Sequence, residues 1–189
     1  MRRRTALLLA LAALFAAPAA GEEVTVRLDP AKSRIGFTLG ATLHTVHGSM
    51  KLTRGEVRFD PESGAAEGRI VVDARSAETG NRDRDADMHA KVLESGRFSD
   101  IVLAVERIEG GFQPKGTSRL TLHGQLSIHG RSHRVSLPAE VTVEGGRVTA
   151  KLEFTVPYVE WGMKDPSKFL LSVAKVVKVT VEAQGTLER

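Results

Sequence analysis

The sequence predicts an all-β, mostly antiparallel domain with one short helix, and three observations carry that expectation. Apolar and polar residues alternate with period two along most of the chain. Clusters of Gly, Pro, Asn and Asp punctuate the alternating stretches at short spacing. A single charged segment breaks the rhythm with helix-forming composition.

The alternation is clearest from Val148 to Tyr158. There Val148, Ala150, Leu152, Phe154, Val156 and Tyr158 share one parity, and Arg147, Thr149, Lys151, Glu153 and Thr155 the other. Val135, Leu137, Ala139, Val141 and Val143 repeat the pattern just upstream, and Glu144-Gly145-Gly146 between the two reads as a tight hairpin turn. The same reading gives strands around Ile35–Phe37–Leu39, Val57–Phe59, Ile70–Val72–Ala74, Ile101–Leu103–Val105, Leu120–Leu122–Leu126–Ile128 and Val177–Val179–Val181–Ala183. About eight short strands with turns between them point to a sandwich or a closed barrel. The exception runs from Asn81 to Ser95. Thr79 or Asn81 can cap it, Asp83, Asp85 and Asp87 suit its early turns, Met88, Val92 and Leu93 give it an apolar side, and Gly96 is expected to stop it. A helix of about three turns is expected there, lying over an end of the barrel.

Residues 1–20 are expected to be a cleaved signal peptide, with residues 21–189 as one domain. Arg2, Arg3 and Arg4 are followed by an apolar run from Ala6 to Ala17 and then by Ala17-Pro18-Ala19, the small-residue cleavage pattern. The run is short for a bilayer span, which needs about 20 apolar residues, and no cysteine follows it to carry a lipid anchor. Without those three arginines the remainder holds 24 basic and 23 acidic residues, so the basic character of the whole chain owes much to the leader. That balance gives no reason to expect nucleic acid as a partner. The absence of cysteine excludes disulfides, thiolate catalysis and cysteine metal sites.

Each strand offers one apolar face, and those faces must meet. The inward set is aliphatic and medium-sized, and aromatic residues are 5% of the chain. A ring of about eight strands can be filled by side chains or can hold one small ligand, and the pattern leaves both open. If the ring is hollow, the residues inward by parity are its lining: Phe37, Phe59, Val72, Leu103, Leu122, Leu126, Leu152, Phe154 and Val179. Tyr158 and Trp161, the only tyrosine and tryptophan, fall beside a break in alternation and suit either a ligand's head group at the mouth or a plug over the core.

Two other chemistries have some footing. Six histidines, among them His44, His47, His123, His129 and His133, invite a metal-dependent enzyme. Strand parity places His123 and His129 on the wet face, and residues three apart, as His44 and His47 are, point to opposite faces. Asp85 and His89, four apart on the expected helix, could orient a general base, or be an ordinary ion pair. A ligand-free interaction module of the cell envelope is a third reading.

Three blocks resemble the YceI-like family of exported lipid- or polyisoprenoid-binding proteins. Ser76-Ala77-Glu78-Thr79-Gly80-Asn81, then Arg84-Asp85, Met88 and Phe98-Ser99-Asp100-Ile101, is similar to the family's S-x-x-T-G-N, R-D and aromatic-P-x-I run. Leu120 to Gly130, with Arg134-Val135 and Leu137, resembles its G-x-L-T-I-H-G hairpin, and Phe37 with Val46-His47-Gly48 resembles its opening block. The chain departs from the pattern at Ala41, where a histidine is usual, at Ser99 in place of proline, and through Gly162–Ser167. The resemblance implies an eight-stranded antiparallel lipocalin-like β-barrel around an apolar channel. It also implies a hydrophobic lipid ligand, no enzymatic activity, and no cofactor beyond a bound isoprenoid, isoprenoid quinone or fatty acid. With the leader it implies a periplasmic or secreted protein with no permanent membrane anchor, and it is compatible with a homodimer.

Overall fold

The computed structural model describes residues 23–42, 44–167 and 172–189; the expected signal peptide lies outside them. The described residues form a closed antiparallel barrel. Its strands are β1 (Val24–Leu28), β2 (Arg34–Gly40), β3 (Thr45–Phe59), β4 (Ala65–Glu78), β5 (Asp100–Glu109), β6 (Gly116–Ile128), β7 (Arg131–Glu144), β8 (Arg147–Val156) and β9 (Val177–Glu188). From β2 to β9 each strand pairs with its successor, and β9 returns to β2. These eight strands coincide one for one with the eight alternating stretches of the sequence.

β1 was not expected. It occupies the same place in the ring as β2, end to end with it, because both lie between β3 and β9: Val26 pairs with Val57 and Leu187, and Phe37 with Gly48 and Val179. Pro30, which has no N–H to give a ladder, falls in the break. There the Ser33 hydroxyl replaces the missing backbone partner: Gln184 N–H donates to Ser33 Oγ (3.2 Å), which donates to Asp29 O (2.8 Å). Two hairpins close with two-residue turns whose residues all have positive φ, the geometry that matches strand twist. They are Gly145 (56°) and Gly146 (78°) between β7 and β8, and His129 (52°) and Gly130 (72°) between β6 and β7.

The helix, α1, spans Arg82–Asp87 and continues as one π-helical turn, Met88–Val92. Six residues and then five make about three turns, the length the sequence suggested. Asn81 caps it, its side chain accepting the Arg84 N–H at 3.0 Å. The end comes before Gly96: Glu94 adopts φ 45° and takes the chain out of the helix.

The barrel has two unlike ends. The β3–β4, β5–β6 and β7–β8 turns gather at one, where Val24, Phe59, Val143 and Val148 are between 1% and 4% exposed and Phe112 meets Phe59 edge to face with ring centroids 5.0 Å apart. This end is closed. The helix and the segment after β8 gather at the other.

The wall also contains a close contact that the sequence motif V-x-G anticipates. Phe37 lies opposite Gly48, and a Cβ on Gly48 would stand 2.1 Å from Phe37 Cζ and 2.6 Å from Glu78 O. Gly48→Ala is therefore expected to lower stability by at least about 2 kcal/mol. Gly111→Ala, with nothing within 4 Å of its added carbon, should change stability little. Urea unfolding of both variants measures the difference.

Candidate ligand cavity

A cavity of about 820 Å³ runs inside the barrel toward the closed end. The interior is hollow, which settles the choice between a filled and an open core. The cavity owes its size to short side chains on neighbouring strands: Ala150 of β8 stands opposite Val141 on one side and Ala183 on the other. Phe37, Phe59, Val72, Leu103, Leu122, Leu126, Leu152, Phe154, Tyr158 and Val179 all line it. Parity was sufficient to place the strand residues among these.

Trp161 does not line it. Its ring stacks on His133 of β7, centroids 4.0 Å apart and planes 4° from parallel. The cause is a tight turn after β8, in which Trp161 N–H donates to Pro157 O and Met163 N–H to Tyr158 O, both at 3.0 Å. The turn delivers Met163 to the cavity instead, 3% exposed. His133 shares the inward parity of Leu137, and its Nε2 is buried without a hydrogen-bond partner. Met163 and the helix residue Met88 lie outside strand periodicity, so alternation offered no signal for either as a lining residue.

The mouth lies under the helix. Met88, Val92 and Leu93 line the cavity from above, and Asp83, Arg84, Asp87, Lys91, Lys164 and Asp165 form charged parts of its rim. The T-G-N and R-D motif builds the helix start. Asp85 accepts from Thr79 N–H (2.9 Å) and Thr79 Oγ1 (2.5 Å). Arg84 donates through Nε to Thr79 Oγ1 (2.7 Å) and through Nη2 to Thr79 O (3.1 Å). One threonine thus ties both residues to the end of β4.

Asp85 is consequently not paired with His89, and no acid–base dyad forms there. His89 is held by structure on both ring nitrogens: Nε2 donates to Ala77 O (2.9 Å), and Nδ1 lies 2.8 Å from Ser95 Oγ, a residue only 4% exposed. The remaining histidines are scattered. His123 sits on the outer face between Ser136 (2.8 Å) and Glu109 (3.0 Å), and His47 contacts Thr38 there (3.2 Å). His129 is not simply solvated, as its turn position suggested. Its Nε2 meets Glu94 at 2.6 Å and its ring rests on Phe98, tying the end of the helical segment to the β6–β7 turn. Among the described residues no group of three or more His, Asp or Glu could hold a metal ion.

Tyr158 is 5% exposed and donates its hydroxyl to Ala174 O at 2.9 Å. Burial, with the negative charge of Asp165 adding to it, pushes its pKa up to about 12. The fold therefore favours the neutral phenol. Its contribution to stability is complete below about pH 10, the unfolded value, and is lost as pH rises from there to about 12. Since Tyr158 is the only tyrosine, absorbance at 295 nm should show no tyrosinate in the native protein until near pH 12, and a midpoint near 10 once the chain is unfolded in guanidinium.

Comparison with known proteins follows the same lines. The barrel is similar to Burkholderia cenocepacia BcnA, with a TM-score of 0.72 and 18% identity, covering 84% of this chain and 99% of that one. It is also similar to a polyisoprenoid binding domain from Saccharophagus degradans implicated in plant cell wall breakdown (TM-score 0.67, 16% identity, 86% of this chain and 98% of that one). A third likeness is to the Campylobacter jejuni YCEI protein (TM-score 0.62, 16% identity, 78% and 88%). These identities establish a shared fold. No curated protein matches the chain. The model of the YceI-like domain matches residues 27–185, nearly the whole described barrel, and the chain belongs to the YceI-like family.

Proposed function

We propose that this protein binds one long apolar lipid, an isoprenoid, isoprenoid quinone or fatty acid, in the barrel interior and carries or sequesters it in the cell envelope. The observation that carries this reading is the apolar cavity of about 820 Å³ inside the barrel, in the range of cavities that bury most of a small ligand. Transfer of a lipid tail from water to such walls is favourable by about 0.8 kcal/mol per buried methylene, offset in part by the ordering of a flexible chain. No single side chain need dominate. The similar Saccharophagus domain, described as polyisoprenoid-binding, supports the same ligand class. The described rim sets Asp83, Asp87 and Asp165 against Arg84, Lys91 and Lys164. That balance suits an uncharged head group better than a phosphorylated one, for which cationic clusters are the usual solution.

Mass spectrometry of an organic extract tests the reading. Protein purified folded from a host that makes isoprenoids should yield close to one lipid per chain. Ala150→Phe, which fills the middle of the cavity, should lower that content severalfold while the circular-dichroism spectrum stays native. Equal lipid content in a folded Ala150→Phe variant would place the ligand elsewhere.

The leader composition supports export as the route to the envelope. Intact mass of the protein from a periplasmic fraction should correspond to a chain beginning near Gly21. A full-length mass with Met1 retained would overturn that part of the proposal.

A further inference from the structure

The closed end of the cavity has an aromatic stopper from a loop, and its position has a consequence for ligand choice. Phe112 comes from the connection between β5 and β6, lines the cavity, and packs edge to face on Phe59 at the last residue of β3. Its loop is clamped: Gln113 N–H donates at 2.8 Å to the hydroxyl of Ser118, itself 3% exposed. The ring is held by a built contact, with the buried Val143 and Val148 beside this end. A chain that enters at the mouth under the helix therefore meets a fixed wall.

We propose that Phe112 sets the length of lipid chain the barrel accommodates. This rests on the lipid reading above and adds a specificity-determining residue to it. The cavity measures about 820 Å³. Carbons that do not fit between the mouth and Phe112 stay outside, in contact with water, and add little affinity. The side chain of Phe112 contributes a six-carbon ring, about the bulk of one five-carbon isoprene unit, so its removal makes room for one more unit.

The experiment is displacement of N-phenyl-1-naphthylamine by all-trans prenols of 10, 15, 20, 25, 30 and 45 carbons. It uses the mature protein after its endogenous lipid has been stripped. For the native protein, affinity is expected to rise at least about tenfold per added unit up to the length that fills the cavity, and to be flat within about twofold beyond it. Phe112→Ala should move the plateau up by one unit, and Phe112→Trp should move it down by one. Phe112 lies in a partly exposed loop, and two substitutions of opposite size guard against a loss of folding in one of them. Affinity that climbs without a break to 45 carbons overturns the proposal, as does a plateau that neither folded variant moves. Prenols of every length failing to displace the probe, from a native protein that binds it, would overturn the lipid reading and the length rule together.

Discussion

Closure of the backbone ladder is the constraint on which the rest of this structure depends. Once β9 has paired with β1 and β2, the ring of strands fixes how much room lies inside it. Strand parity then decides which side chains enter that room. What remains free is only the sum of their volumes. Ala139, Ala150 and Ala183 lie on three consecutive strands of the wall and face inward with valines and leucines around them. Side chains this short cannot reach the axis of the barrel. At the closed end the balance reverses, since Phe59 and Phe112 are long enough to meet. The hollow and the stopper are thus two outcomes of one rule, applied to alanine in one place and to phenylalanine in the other.

The mouth obeys different physics, because there the chain leaves the ladder and must satisfy its backbone by other means. The Thr79–Arg84–Asp85 set does this within a few residues, satisfying the Thr79 N–H, hydroxyl and carbonyl at once. At the far end of the same segment, Glu94 and His129 form a second tie, with both residues in the left-handed region. Between these two fixed points the helix presents Met88 and Val92 to the cavity. One π-helical turn shifts the phase of the helix by one residue, and it falls where those side chains must face inward. Methionine suits this position, since its unbranched, polarizable chain adapts to partners of varied shape.

Much of this was legible in the sequence, and the limits have physical causes. Period-two alternation identified β2 through β9 and nine of the lining residues, because each strand is wet on one side and dry on the other. β1 escaped notice because only five residues form it and Arg27 is its one exposed position. The Asn81 cap was readable from local chemistry. The end of the helix was not, because Glu94 stops it through a contact with His129, thirty-five positions away in the chain. Trp161 was placed at the mouth by its position near a break in alternation. Its actual partner, His133, comes from a different hairpin, and no local pattern announces a stacking contact of that kind. The Asp85–His89 spacing was correct for a pair, but stronger local partners claimed both residues. Spacing alone says which groups can meet, not which competitors will intervene.

The seam between the two ends of the chain has a kinetic meaning as well. Val26 pairs with Leu187, and Arg27 reaches Glu188 at 2.6 Å, so the first strand cannot be completed without the last few residues of the sequence. Contacts of such separation are slow to form, because the whole intervening chain must be ordered before they stabilise anything. A nascent chain still lacking β9 has an open sheet with exposed edges on both sides. The barrel therefore cannot lock until its final strand has arrived, and until then every earlier strand waits in a sheet that is still open.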